Sequence, residues 1–319
     1  MFSASDGRTL TFKYDSESLQ ITAWGPNAFR VRATHEATFE DENWALSEPV
    51  PDTDVHINLP ASDAATGPAR IQNGTITATV TWRGKLTVSN NKTGTVLLEE
   101  YTRHRLDLLD PKCSALNVSA REFRPRLGAD SYRLTARFES LDEEERIYGM
   151  GQYQQPFLNL KGADLELAQR NSQASIPFAV SSRGYGFLWN NPAVGRAVFG
   201  KNMTTWEALS TRVLDYWIVG GDSPAEIVRA YGAVAGKAPE MPEYGLGFWQ
   251  CKLRYQTQEE LLAVAREHKV TRKLPMDVIV VDFFHWPKEG EWKFDPTFWP
   301  DPGRCTPDKI SRYNTDRKV

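Results

Sequence analysis

A chain of 319 residues has room for about two domains, and 40% apolar with 25% charged residues is the composition of an ordinary globular protein. A net charge of −3 carries no polyelectrolyte signature and argues against a nucleic-acid partner. No run of about 18 apolar residues occurs, so neither a membrane-spanning helix nor a membrane partner is expected.

The opening stretch MFSASDGRTLTFKYDS lacks the basic start and apolar core of a secretory signal. The three cysteines, Cys113, Cys251 and Cys305, are odd in number and widely spaced, as reduced thiols are. A cytoplasmic location is therefore expected over secretion. Four N-x-S/T triplets, at Asn73, Asn91, Asn117 and Asn202, point the other way, although such triplets arise often by chance.

The first two-thirds reads as strands and turns. Leu19, Ile21 and Ala23 alternate with polar residues, GPN interrupts, and Phe29, Val31 and Ala33 resume the period of two, as a hairpin with one wet face should. The pattern recurs at Ile76, Ala78, Val80 and Trp82, at Leu86 and Val88, and at Tyr132, Leu134, Ala136 and Phe138. Segments 176–192 and 212–221 add more strands, in which Trp189 and Trp217 read, like Trp82, as packing. Many short strands with turns between them predict a β-sandwich.

At Asp222 the pattern changes. Ser223 as N-cap, Pro224 at the first helical position and Glu226 form a capping box in front of a helix over 223–235. KAPEMPEYG then breaks the chain with two prolines, where a domain boundary is expected. Beyond it come an aromatic strand at 245–251, a helix over 257–269 opened by the capping box Thr257/Glu260, and a near-continuous apolar strand, MDVIVVDFF. Strand, helix and strand within about 40 residues make a βαβ unit whose parallel sheet is buried on both faces.

The five histidines lack metal-ligand spacing, and no G-x-S-x-G, P-loop or dinucleotide fingerprint occurs. No metal or cofactor is expected. The carboxyl end of the second βα strand carries instead Asp282, Phe283, Phe284, His285 and Trp286. A carboxylate accepts several hydroxyl hydrogen bonds and aromatic faces cover the C–H surface of a pyranose, which suits a sugar. Trp249 and Trp292 repeat the theme one strand and one loop away. From periodicity alone the plainer alternative, an aspartate capping the next turn among core aromatics, is the stronger one.

The segments PEYGLGFWQCKLRYQTQEELLAVAREHK, LPMDVIVVDFFHW and EWKFDPTFWPDP closely resemble the opening of the catalytic barrel in glycoside hydrolase family 31, the α-glucosidases and α-xylosidases. IPFAVSSRGYGFLWNNP and GDSPAEIVRAYGAVAGKAPEMP resemble the end of that family's β-sandwich and its link to the barrel. The resemblance implies a multi-domain β + α/β chain. Residues 1–236 would be a galactose-mutarotase-like β-sandwich with its linker helix at 223–235. Residues 237–302 would open a (β/α)8 TIM barrel, and 303–319 would be a divergent polar tail.

It also implies that Asp282 binds hydroxyls of the sugar in the cleaved subsite and is not the nucleophile. Phe283, Phe284 and Trp286 would wall that subsite, with Trp249 and Trp292 nearby. Gln169, Arg170 and Asn171, after YGMGQYQQPFLNLKG, resemble a sandwich loop at the pocket mouth that touches the leaving sugar, with an ordinary surface excursion as the alternative. The bulky aromatic close behind the aspartate leans towards xylose, because it fills the volume where the CH2OH of glucose would sit.

Retaining enzymes of this type need two carboxylates about 5–5.5 Å apart, and in the family both come from later in the barrel. After WPDP the text here turns polar, with Ile310 and Tyr313 as the sizeable apolar anchors and no third strand. A truncated product, a shifted frame or a partial chain would each read this way. The expected function is thus that of the N-terminal fragment of a retaining α-glycosidase acting on α-xylosides or α-glucosides, inactive by itself, with oligomerisation of full-length relatives left open. The rival is a non-catalytic carbohydrate-binding sandwich with a vestigial barrel.

Overall fold

Period-two alternation in the first two-thirds of the chain does become a layered β structure. The computed structural model describes residues 1–39, 43–47, 54–61 and 66–305, and the chain divides into two compact units, Met1–Lys237 and Ala238–Val319.

In the first unit an eight-stranded antiparallel sheet runs in the order Phe2–Ser5, Thr9–Tyr14, Glu17–Ala23, Ala28–Thr34, Val213–Gly220, Tyr185–Trp189, Ala174–Ser181, Ile147–Gln152. A five-stranded sheet is ordered Arg121–Pro125, Tyr132–Glu139, Met203–Thr211, Gly195–Phe199, Asp164–Leu167. A second one is a meander of Val55–Asn58, Ala69–Asn73, Ile76–Val80, Leu86–Asn90 and Val96–Glu99. A backbone bridge between Glu100 and Phe138 joins the two five-stranded sheets, and one core cluster draws side chains from all three.

The strand Val213–Gly220 shows how the alternation works on both faces. Leu214, Tyr216 and Ile218 enter that main core. Trp217 and Val219 enter a second cluster with Ile227 and Val234 of helix α1 (Pro224–Ala235), which covers the outer face. The Ser223 cap forms as the sequence predicts, its hydroxyl accepting from Glu226 N at 3.3 Å, and Gly236 at φ 90° ends the helix.

Two expectations need correction, and one sequon proves buried. The wet face of strand 28–34 is closed, because Arg30 is 3% exposed and forms a 2.5 Å ion pair with buried Asp215; alternation alone does not distinguish a buried arginine from a solvated one. Trp82 leaves its strand for the following turn, where Arg83 sits over its ring at 4.2 Å. Asn73 is fully buried and donates to the Gly25 and Ala28 carbonyls at 2.8 Å, so this fold leaves no room for a glycan at that sequon.

One guanidinium ties the three sheets. Arg121 donates to Glu17 in the eight-stranded sheet at 2.7 Å, to Glu100 beside the meander at 2.5 Å, and to the carbonyl of Gly84 at 3.0 Å. Gly84 sits at φ 85°, and a Cβ there would lie 2.6 Å from the Phe12 ring, which explains a glycine at this turn.

In the second unit, Trp249–Cys251 and Val278–Val280 pair in parallel, with Trp249 opposite Val278 and Cys251 opposite Val280. Helix α2 (Gln258–Arg266) connects them, capped by Thr257, whose hydroxyl accepts from Glu260 N at 3.2 Å, while Glu260 accepts from Gln256 N at 2.8 Å. Leu261 and Leu262 of α2 anchor two small clusters with Met276, Tyr255 and Trp299.

Both strands are shorter than the apolar text suggests. A 3-10 turn at Glu243–Leu246 consumes the start of the first, and a π-helical turn at Glu267–Thr271 extends the path out of α2. Val278, Ile279 and Val280 are half-buried rather than sealed on both faces, because among the described residues no third strand joins this sheet. The described start of the tail still packs: Pro302–Cys305 forms a 3-10 turn and Cys305 rests on both small clusters. Ile310 and Tyr313 lie outside the described residues. No described helix is long and apolar enough to cross a membrane.

Candidate functional site

The parallel register brings the carboxyl ends of the two barrel strands level, and side chains there point at a common region. Asp282 follows Val280 by two residues. Its backbone is left-handed at φ 63°, as is that of Phe284 at φ 66°. Aspartate tolerates that region, but a phenylalanine there is strained by about 1–2 kcal/mol. Such strain persists only where contacts over-determine it.

Those contacts are present. Asp282 forms a backbone bridge with Arg254, its carbonyl lies 2.7 Å from Nδ1 of His285, and the His285 carbonyl accepts from Asp295 N at 2.7 Å. The Cys251 thiol donates to Oδ2 of Asp282 at 3.5 Å. Desolvation, followed by the Asp282 hydrogen bond and charge, pushes that thiol above its ordinary value, so it stays a donor at neutral pH.

Two left-handed residues two positions apart turn the chain sharply and gather the rings. Phe283 and Phe284 stack at 4.1 Å, and Trp286 lies 6.3 Å from the first and 6.2 Å from the second. The cluster is tied inward through His285 to Phe294 at 5.2 Å, and through Phe294 to fully buried Trp299 at 5.4 Å. Asp282 is exposed and Phe284 is 56% exposed. A carboxylate beside a partly exposed aromatic cluster results, which is chemistry that suits sugar recognition.

Among the expected site residues, Asp282, Phe283, Phe284 and Trp286 are therefore brought together. Trp249 sits on the neighbouring strand and donates to its own backbone at Gly245 O, 3.1 Å away. Trp292 is 97% exposed, and neither indole makes a ring contact among the described residues.

Gln169, Arg170 and Asn171 belong to the first unit. The Gln169 amide is spent on its own sheet, donating to Ser175 O at 2.8 Å and accepting from Ser175 N at 2.9 Å. Arg170 is paired with Glu166, and Asn171 is exposed. The preceding excursion 148–162 is pinned at its ends: Asn159 accepts from Ile147 N at 3.0 Å, and Lys161 reaches buried Glu145 at 3.1 Å.

Sequence reasoning missed Cys251 and Arg254. The signal lay in the parallel register, which sets Cys251 level with Val280 and so within reach of Asp282. Among the described residues no group of three or more His, Cys, Asp or Glu side chains could hold a metal ion.

Residues 18–196 match the family model described as the glycosyl hydrolase 31 N-terminal galactose mutarotase-like domain, and residues 238–314 match that of the glycosyl hydrolases family 31 TIM-barrel domain. The chain belongs to glycoside hydrolase family 31. Its fold is accordingly a galactose-mutarotase-like β-sandwich followed by part of a TIM barrel.

It is similar to an uncharacterized family 31 glucosidase from Pseudescherichia vulneris, 47% identical with 92% of this chain and 55% of the relative covered. α-Xylosidase A of Aspergillus niger is 30% identical over 93% of this chain and 41% of its own. The crystal structure of a family 31 α-xylosidase from a soil metagenome, complexed with xylose, superposes with a TM-score of 0.85 at 50% identity, covering 98% of this chain and 46% of the other. The chain thus spans about half the length of these family 31 relatives.

Proposed function

We propose that these residues form the sugar-holding amino-terminal portion of a retaining α-glycosidase that removes terminal α-linked xylose, with glucose the second choice. The observation that carries the reading is Asp282 at the end of a parallel barrel strand, exposed beside the stacked Phe283, Phe284 and Trp286. Its support is the similarity to relatives named α-xylosidases, one of them a structure complexed with xylose. Asp282 accepts hydrogen bonds from sugar hydroxyls, and the rings cover the C–H face and fill the space a CH2OH would need.

In this reading the residues described hold the sugar and supply neither the nucleophile nor the acid/base. Gln169 and Arg170 serve the sandwich itself in this reading, through Ser175 and Glu166. Nothing in the fold or the relatives favours the non-catalytic alternative. A location inside the cell fits the three free cysteines.

The test is calorimetric titration of the chain with D-xylose. Saturable binding that Asp282→Ala abolishes is expected; no binding, or equal binding by the variant, overturns the reading.

A further inference from the structure

We propose that Arg254 is a second sugar-contacting, specificity-determining residue of this site, donating hydrogen bonds to the sugar whose hydroxyls Asp282 accepts. The inference rests on the α-xyloside reading above and adds to it the donor half of the recognition.

Arg254 is held at the site twice. Its backbone bridges to that of Asp282, and its guanidinium carbon lies 5.0 Å from the centroid of the Phe284 ring, over the face. A cation over an aromatic face is attracted by the ring quadrupole, which fixes the side chain without consuming its N–H groups. Those donors are otherwise idle: among the described residues the Arg254 guanidinium has no hydrogen-bond or ion-pair partner, and the side chain is exposed. Three other basic residues of the second unit are engaged, Lys252 with Glu260 at 2.6 Å, Arg266 with Glu259 at 3.0 Å and Arg272 with Glu267 at 2.8 Å. Arg254 stands apart from them in having its planar fork free.

The chemistry of the ligand follows from the pair. A carboxylate only accepts, so Asp282 satisfies hydroxyl protons and leaves hydroxyl and ring oxygens without donors. The Cys251 thiol, already directed at Asp282, is a weak donor. A guanidinium presents several N–H groups in one plane, a spacing that suits two adjacent oxygens. Asp282 and Arg254, bridged through their backbones next to the aromatic cluster, therefore form an acceptor and donor pair for a vicinal diol. A monosaccharide ring meets that description.

The experiment is calorimetric titration of the full chain and of Arg254→Ala, Arg254→Lys and Asp282→Ala with methyl α-D-xyloside, with thermal melting followed by circular dichroism. Loss of a charged donor to the sugar predicts binding weakened about tenfold or more in Arg254→Ala. Arg254→Lys should lie between that variant and the parent, with melting unchanged. If Arg254→Ala melts early, the folded Arg254→Lys carries the comparison, and parental affinity there overturns the proposal. Parental affinity in Arg254→Ala, alongside lost binding in Asp282→Ala, overturns the role of Arg254 and leaves the sugar site standing. No binding by the parent chain overturns both.

Discussion

Arg121 offers the sharpest test of how the sandwich is held. Its side chain is 7% exposed, Glu100 is 2% exposed, and Glu17, Glu100 and the Gly84 carbonyl all depend on the same guanidinium. Arg121→Met keeps the length and the apolar stem but strands the Glu100 carboxylate, whose remaining partner is Leu86 N at 2.8 Å. Breaking one side of a buried pair costs about 3–5 kcal/mol, or about 6–20 °C of melting temperature for a unit of this size.

Burial pushes Glu100 above the usual carboxylate range even with Arg121 beside it, and without the cation it rises further. A carboxyl raised in the folded state contributes stability in its protonated form, present at low pH and lost as pH rises through the folded value. The gap between parent and Arg121→Met should therefore narrow on acidification, by up to about 1.4 kcal/mol per pH unit. Urea unfolding followed by circular dichroism at pH 7 and pH 5 measures this. Recovery is expected in Arg121→Met combined with Glu100→Gln, where the fully buried carboxylate is gone and only the more exposed Glu17 is left without its cation. A single variant within about 1 kcal/mol of the parent, or a double variant no better than the single, would refute the reasoning.

Lys85 sits between Glu99 at 2.8 Å and Asp110 at 2.9 Å. Burial works to raise both carboxyls, but hydrogen bonds from Lys85, with Lys112 or the Lys112 amide, hold them below their usual values. Their stabilisation is present above the unfolded range of about 4 and lost as pH falls, so Lys85→Met should flatten the decline of stability between pH 5 and pH 3 in urea titrations. An equally steep decline would contradict it. Phe284→Ala should raise affinity for methyl α-D-glucoside relative to the xyloside by about 10-fold or more, because a CH2OH then fits; an unchanged ratio in competition binding would remove Phe284 from specificity. The 319 residues should release no p-nitrophenol from p-nitrophenyl α-D-xyloside beyond a heat-killed control, and clear turnover would place the catalytic carboxylates within them.

Much of this was legible in local patterns, because strands with period two and helices with capping boxes are fixed by neighbours in sequence. Ser223 and Thr257 cap the helices the text assigns them, and Asp282, Phe283, Phe284 and Trp286 gather as a strand end requires. What local pattern could not carry was pairing across long separations. Arg30 looks like a solvated residue until Asp215, 185 positions away, is placed beside it. Trp82 continues an alternation that the turn at Gly84 cuts short. The left-handed backbone at Asp282 and Phe284 has no glycine to announce it, and Arg254 reveals its role only when the ring of Phe284 lies beneath it.

The most direct test of sugar binding at Asp282 is a crystal structure of the chain with D-xylose. A xylose ring is expected against Phe283, Phe284 or Trp286, with hydroxyls within about 2.6–3.2 Å of the Asp282 carboxylate. Xylose bound elsewhere, or Asp282 turned away into a turn-capping hydrogen bond with the sugar absent from it, would contradict it.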